Sequence, residues 1–177
     1  MKKTNRQRYG NSIVLYLLLG FSCLIFQGCA TGPQTPAKMT VGATETIHIV
    51  EADLDFLTRI DTGARTTSVH ALDIKIDNPA TNKKENVGKK ISLTLINEKG
   101  EKKHLETTIV DALQVRNAQG VEVRYMIPLT LRWQGSNKVI NVNLRNRSTM
   151  TYKLLIGRDW LSKDFIVDID INKGGKK

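Results

Sequence analysis

Apolar and polar residues alternate along most of this chain, and short clusters of turn formers keep breaking the alternation. Thr46–Val50, Leu54–Asp61, Val69–Ile76, Lys90–Ile96, Lys102–Val110, Val121–Trp133, Val139–Leu144, Lys153–Ile156 and Phe165–Ile171 read as strands. Side chains of a strand point to opposite faces in turn, so this period lets one face join a core while the other meets water. Turn signals separate the strands: Asp77-Asn78-Pro79, Asn97-Glu98-Lys99-Gly100, Asn117-Ala118-Gln119-Gly120 and Gln134-Gly135-Ser136-Asn137. Arg158–Lys163 is the sole helical candidate, and no internal repeat is visible. Many short strands must manage their exposed edges, and closing the sheet on itself removes them. The expected fold is therefore all-β: a small closed barrel with one short C-terminal helix.

The N-terminal segment does not fit that pattern. Lys2, Lys3, Arg6 and Arg8 precede an apolar run from Ile13 to Phe26, too short for a comfortable membrane span. The run meets Phe26-Gln27-Gly28-Cys29, which resembles a bacterial lipobox ending on the Cys that takes the lipid. Cys23 is the rival position, and an uncleaved N-terminal anchor is the rival reading. The expected organisation is a lipoprotein signal peptide over 1–28 and a lipid-anchored flexible tether over 29–44, rich in Gly, Pro, Thr and Ala. The barrel domain follows over 45–172, then a basic tail over 173–177. Ala30 after Cys29 directs the expectation to the bacterial envelope, on the periplasmic face of the outer membrane.

Loss of residues 1–28 removes four basic and no acidic side chains, taking the formal charge from +10 to +6. The remaining Lys and Arg are scattered, apart from Lys83, Lys84, Lys89 and Lys90, and no aromatic-rich nucleic-acid motif accompanies them. The charge therefore suits solubility or anionic lipid and wall polymer, with no nucleic-acid partner expected. Cys29 is the last cysteine, which rules out a disulfide framework in the domain.

Chemistry concentrates at Asp61-Thr62-Gly63-Ala64, which closes the strand Leu54–Asp61. Glycine lets the backbone turn sharply beside the carboxylate, the Thr hydroxyl can bond across a tight loop, and Ala64 leaves room for a substrate backbone. An Asp beside a Gly is also ordinary turn chemistry. A second element, Leu154-Leu155-Ile156-Gly157-Arg158-Asp159-Trp160-Leu161, lies far downstream: an apolar strand, a Gly, then the short helix. Between the two come Arg65-Thr66-Thr67-Ser68-Val69-His70-Ala71, Val123-Arg124-Tyr125-Met126-Ile127 and Asn146-Arg147-Ser148-Thr149-Met150-Thr151-Tyr152.

In that order these blocks resemble the bacterial retropepsin-like aspartic peptidases often called "ATP-dependent zinc proteases", over about Val41 to Ile171. The resemblance implies Asp61 as the catalytic carboxylate, Thr62 as a brace between paired loops, and Gly63 as a contact for the substrate backbone. Gly157, Arg158 and Asp159 form the supporting second element; for Gly157 a helix-entry turn is the plain alternative. Viral members carry an Asp where this chain has Arg65, so Arg65 is expected to reach Asp159, to meet a substrate carboxylate, or to stand solvated. The flap over the site is expected at the Arg116–Gly120 hairpin, between Ala112–Val115 and Val121–Trp133, where Asn117 and Gly120 suit the turn, with Asn97–Gly100 as its rival.

Two carboxylates are needed for such hydrolysis, one ionised to activate water and one protonated to polarise the carbonyl. The chain has one such motif, so the resemblance implies a homodimer with the site on its two-fold axis. The zinc and ATP of the common label find no residues: His48, His70 and His104 are far apart, and no phosphate-binding Gly-x-x-x-x-Gly-Lys is present. No cofactor and no metal are expected, and His70 is expected to satisfy a local hydrogen bond. Three functions stand at this stage: a dimeric aspartic endopeptidase acting on an envelope or periplasmic peptide, an inactive peptide-binding module, and a structural envelope lipoprotein.

Overall fold

The computed structural model describes residues 37–117 and 120–172. The expected signal peptide, Cys29 and the basic tail lie outside the described residues. Among the described residues ten strands occur: β1 (Met39–Ile49), β2 (Leu54–Ile60), β3 (Ser68–Ile76), β4 (Lys90–Ile96), β5 (Lys102–Thr108), β6 (Asp111–Asn117), β7 (Gly120–Trp133), β8 (Ser136–Arg145), β9 (Leu154–Ile156) and β10 (Phe165–Asn172). The one α-helix among the described residues, α1, spans Arg158–Leu161, shorter than the expected Arg158–Lys163.

Six strands close a ring in the order β1-β2-β9-β3-β8-β7, and β1 returns to β7 through His48↔Arg132 and Ile49↔Leu131. The pairs β2–β9 and β3–β8 are parallel, while β1–β2, β3–β9 and β7–β8 are antiparallel. Outside the ring, β10 runs parallel to the first half of β1, β4 and β5 extend from β3, and β6 folds back on β7 as a hairpin. Closure removes most sheet edges, as the strand-rich sequence requires.

The boundary between tether and barrel moves. Val41, Gly42 and Thr44, assigned to the tether on composition, are buried in β1, and Met39 to Gly42 pair with Phe165 to Asp168. Small residues there reflect close packing of two strands rather than an unstructured linker. Alternation did not predict β6 as a separate strand: its sequence Asp111-Ala112-Leu113-Gln114-Val115-Arg116-Asn117 pairs residue for residue with β7.

Ile47, Ile49, Phe56, Leu129, Leu131 and Leu154 fill the barrel, each at most 1% exposed. Burial of such side chains stabilises by about 1.5–3 kcal/mol apiece before entropy is counted. At one end Trp160 stacks on Phe165 with centroids 4.0 Å apart, and Trp133 meets both edge-on. This aromatic cluster fixes α1, and through it the Gly157 turn, against the barrel.

Candidate active site

The parallel pair β2–β9 brings the two motifs together. Ile60 pairs with Ile156, and the amide of Asp61 donates to the Ile156 carbonyl at 2.9 Å. The next residues of each strand therefore leave the sheet side by side. Asp61 Oδ1 accepts from the amides of Gly63 (2.9 Å) and Ala64 (3.1 Å), which orients the carboxylate over its own loop. Among the described residues Oδ2 has no hydrogen-bond partner, so it is open to water or a second group.

Gly63 is needed for space rather than for an unusual dihedral angle: a Cβ there would lie 3.2 Å from Asp61 Oδ1. Gly157 is tighter. Its backbone is extended, and an added Cβ would lie 2.6 Å from the carbonyl carbon of Thr66, which cannot move without moving the loop.

Arg158 and Asp159 act on the loop from α1. The Arg158 guanidinium donates to the carbonyls of Thr62 and Gly63, both at 3.0 Å, and its amide donates to the Ala64 carbonyl. The Asp159 carboxylate accepts from the Thr67 amide (2.8 Å) and the Thr67 hydroxyl (2.7 Å). The Thr67 Oγ1 in turn accepts from the Gly157 amide at 3.1 Å. Thus the expected Arg65–Asp159 pair does not form: Thr67 takes both carboxylate oxygens, and Asp159 meets Arg65 only through the Arg65 carbonyl. The Arg65 side chain is exposed and lines a cleft. Thr62 is exposed on the same loop.

That cleft, of about 500 Å³, is bounded by the Gly63–Thr66 loop, by β3 and β8, and by Leu113 to Arg116 of β6. The β6–β7 hairpin with Asn117 and Gly120 at its turn therefore bounds the cleft. The rival Asn97–Gly100 turn is instead tied to β2, with Asn97 Nδ2 donating to the Asp55 carbonyl and Leu57 donating to Glu98.

Beneath the cleft, three strands bury both faces. On β3 Val69 and Ala71 enter the core, while Ser68 and His70 are buried on the opposite face. On β8 Val142 and Leu144 enter the core and Asn143 is buried opposite. On β7 two adjacent residues, Met126 and Ile127, are both buried, so the buried face switches there and Arg124 falls on the cleft side. The second buried layer is polar, which packing alone does not call for.

Its residues are linked. Asn143 Nδ2 donates to the Thr67 carbonyl at 2.6 Å, and Asn143 Oδ1 accepts from Arg124 Nη1 at 3.3 Å. Arg124 Nε pairs with Glu122 at 2.8 Å. Five arginines (65, 116, 124, 145 and 147) line the cleft, and no carboxylate does. Burial, then the charges of Arg145 and Arg124, bring the Arg147 pKa down to about 10, while Asp61 pulls it back up. Arg147 stays charged at neutral pH and feels the Asp61 carboxylate.

His70 has the local role expected of it: Nδ1 accepts from the Arg147 amide at 3.0 Å. Burial lowers its pKa, as do Lys153 and Arg147, against a backbone hydrogen bond at Arg145. No group of three His, Cys, Asp or Glu side chains positioned for a metal occurs among the described residues. Thr67, Asn143, Arg124, Arg145 and Arg147 are the site residues to which the sequence reading gave no role. For Arg124 and Asn143 the signal was a basic or polar residue between two larger apolar ones on a strand; Thr67, Arg145 and Arg147 carried no such signal.

Comparison with known proteins agrees with this fold. Residues 40–173 match the family described as RimB-like, "Retropepsin-like aspartic endopeptidase RimB". Two curated relatives, each named "Probable alpha-L-glutamate ligase", come from Shewanella halifaxensis (strain HAW-EB4) and Shewanella pealeana (strain ATCC 700345 / ANG-SQ1). They are 30% and 31% identical over 114 residues, 62% of this chain but only 24% of their own length. The chain thus spans about a quarter of the curated relatives it matches. A crystal structure of Lpg0085, a protein of unknown function (DUF785) from Legionella pneumophila subsp. pneumophila str. Philadelphia 1, shares the fold. Its TM-score is 0.61 at 22% identity, covering 78% of this chain and 98% of that one. The chain belongs to the RimB-like family of retropepsin-like aspartic endopeptidases.

Proposed function

We propose that this protein hydrolyses peptide bonds as a homodimer, each subunit supplying one Asp61 to a shared site. The observation that carries the reading is the Asp61 loop itself. Its carboxylate is oriented by two amides, backed by Gly157, Arg158 and Asp159, and set beside a cleft of about 500 Å³. In the dimer, one Asp61 as carboxylate takes a proton from water while the other, protonated, polarises the scissile carbonyl. Water adds to the carbonyl carbon, and the proton passes to the leaving amine as the C–N bond breaks. Thr62, exposed at the loop tip, braces the two loops across the axis. Gly63 offers its backbone to the substrate, and the β6–β7 hairpin closes over it.

Acidic peptides are the proposed substrates. Five arginines with no carboxylate among the cleft-lining residues support this, and so does the alpha-L-glutamate ligase name of the two relatives. We place the protein on the periplasmic face of the outer membrane, held by lipid at Cys29. Cys29→Ala is expected to abolish lipid labelling; unchanged labelling moves the site to Cys23, and recovery only with inner-membrane vesicles rejects the location.

The test of the function is Asp61→Asn assayed on acidic peptides. Activity is expected to fall at least about a hundredfold, with the fold retained, because a positioned acid–base group contributes on that scale. The wild-type rate should follow a bell in pH that belongs to the pair. An Asn variant as active as wild type rejects the catalytic reading and leaves a peptide-binding module.

A further inference from the structure

The polar layer under the cleft contains donors that the protein itself leaves unused. Ser68 Oγ and Arg124 Nη2 are buried and have no hydrogen-bond partner among the described residues, and both residues line the cleft. Ser68 is 4% exposed, Arg124 6% and Arg147 5%. An unpaired buried donor is costly, and a charged one more so, unless something enters to meet it.

Placement is shared and rigid. Ser68 pairs with Asn143 across β3–β8, and Arg124 bonds the Asn143 side chain, so Ser68 and Arg124 flank one residue. Arg147 approaches from the loop after β8. Its amide is held by His70 Nδ1, its Nε by the Tyr152 carbonyl. Lys153 Nζ donates to the carbonyls of Arg147, Ser148 and Met150, which closes the rest of that loop. The His70 ring accepts a backbone N–H at Nδ1, so that nitrogen carries no proton in this arrangement.

We propose that Ser68 Oγ, Arg124 and Arg147, with Arg145 at the mouth, form a subsite for one carboxylate of the bound peptide, and that His70 is the positioning residue that sets Arg147 in it. A carboxylate has two acceptor oxygens in one plane, which suits guanidinium donors from two directions plus a hydroxyl. Glu122 already serves Arg124 Nε, so one positive charge is balanced while those of Arg145 and Arg147 await a ligand. This rests on the cleft being the peptide cleft, as proposed above. The carboxylate comes either from an acidic side chain or from a peptide C-terminus.

The test is equilibrium binding of labelled peptides to the full chain in detergent, in the Asp61→Asn background so that cleavage plays no part. Three probes are used: an end-capped glutamyl peptide, its end-capped Gln analogue, and the Gln analogue with a free C-terminus. The glutamyl or the free-terminus probe is expected to bind at least about tenfold tighter than the capped Gln probe, a modest yield for a buried charge-assisted contact. Which of the two does so assigns the source.

Arg147→Gln and Arg124→Gln should remove the preference. Arg145→Gln, at a half-buried position where folding is not at risk, should reduce it several-fold. Lys75→Gln, an equal charge change on an exposed part of β3, should leave it intact. His70→Gln should weaken the charged probe but not the capped Gln probe, a split that a purely structural loss would not give. Equal binding of all three probes, or equal loss from Lys75→Gln and Arg145→Gln, overturns the subsite. Because no step is catalytic, that failure is separate from a failure of the Asp61 test.

Discussion

The corner that holds Asp61 and the arginine wall facing it are built on opposite terms. At the corner, the Asp159 carboxylate, the Thr67 hydroxyl, the Gly157 amide and the Arg158 guanidinium all bond within the protein. At the wall, Ser68 Oγ and Arg124 Nη2 have no partner among the described residues, and Arg147 is held charged although burial and two neighbouring arginines oppose it. The first arrangement fixes geometry and the second stores binding capacity. Polar groups satisfied internally add rigidity, whereas those left open wait for a ligand.

Gly157→Ala should break the corner most severely. A Cβ 2.6 Å from the Thr66 carbonyl carbon forces β9 away from the loop, a cost of about 3 kcal/mol by the scale of overpacked sites. Thermal unfolding would register this, and activity would fall with it. An Ala variant with wild-type stability and activity would show that the loop has slack. Thr67→Val comes next. It keeps the shape but strips the Asp159 carboxylate and the Gly157 amide of their shared hydroxyl, for about 1.5–3 kcal/mol. Because Asp61 is oriented by amides of its own loop, activity should persist in the folded fraction.

A smaller, pH-dependent effect belongs to the wall. The folded state lowers the His70 pKa below 6.5, chiefly by burial, with Lys153 and Arg147 adding to it and the Arg145 backbone opposing. Well above pH 6.5 the ring is neutral in both states and its contribution is complete. As pH falls below that value the unfolded chain takes up a proton that the folded ring resists, so stability declines until the folded pKa is passed. His70→Gln should flatten this decline as pH falls through 6.5, measured by denaturant midpoints; an unchanged slope would remove His70 from the account. The smallest expected effect is from chelation. Removing zinc should alter neither folding nor activity, and a stoichiometric zinc surviving dialysis would contradict the reading of the histidines.

The corner was far more legible in the sequence than the wall. Asp61-Thr62-Gly63 and Gly157-Arg158-Asp159 are contiguous blocks, and parallel pairing of the strands before them brings the two together. What that reading lacked was the partner of Asp159, since Thr67 lies 92 positions away and looks like any loop hydroxyl. Alternation located nearly every strand but assumed one apolar face per strand. It therefore passed over the switch at Met126–Ile127 and the polar second face of β3 and β8, where Ser68, Asn143 and Arg124 sit. It missed the start of β1 at Met39 because small residues suit both tethers and close strand contacts. The flap could not be chosen by turn chemistry alone. The structure places β6 along the cleft and ties the Asn97 turn to β2.

The central claim is that two copies of Asp61 make one site. Subunit mixing tests it most directly: wild-type protein is diluted at constant total concentration with Asp61→Asn protein, and cleavage of an acidic peptide is followed. If both carboxylates are required, only wild-type pairs work, and activity falls as the square of the wild-type fraction, to about one quarter in an equal mixture. Activity that falls linearly, to about one half, would mean that each subunit acts alone and would contradict the shared site.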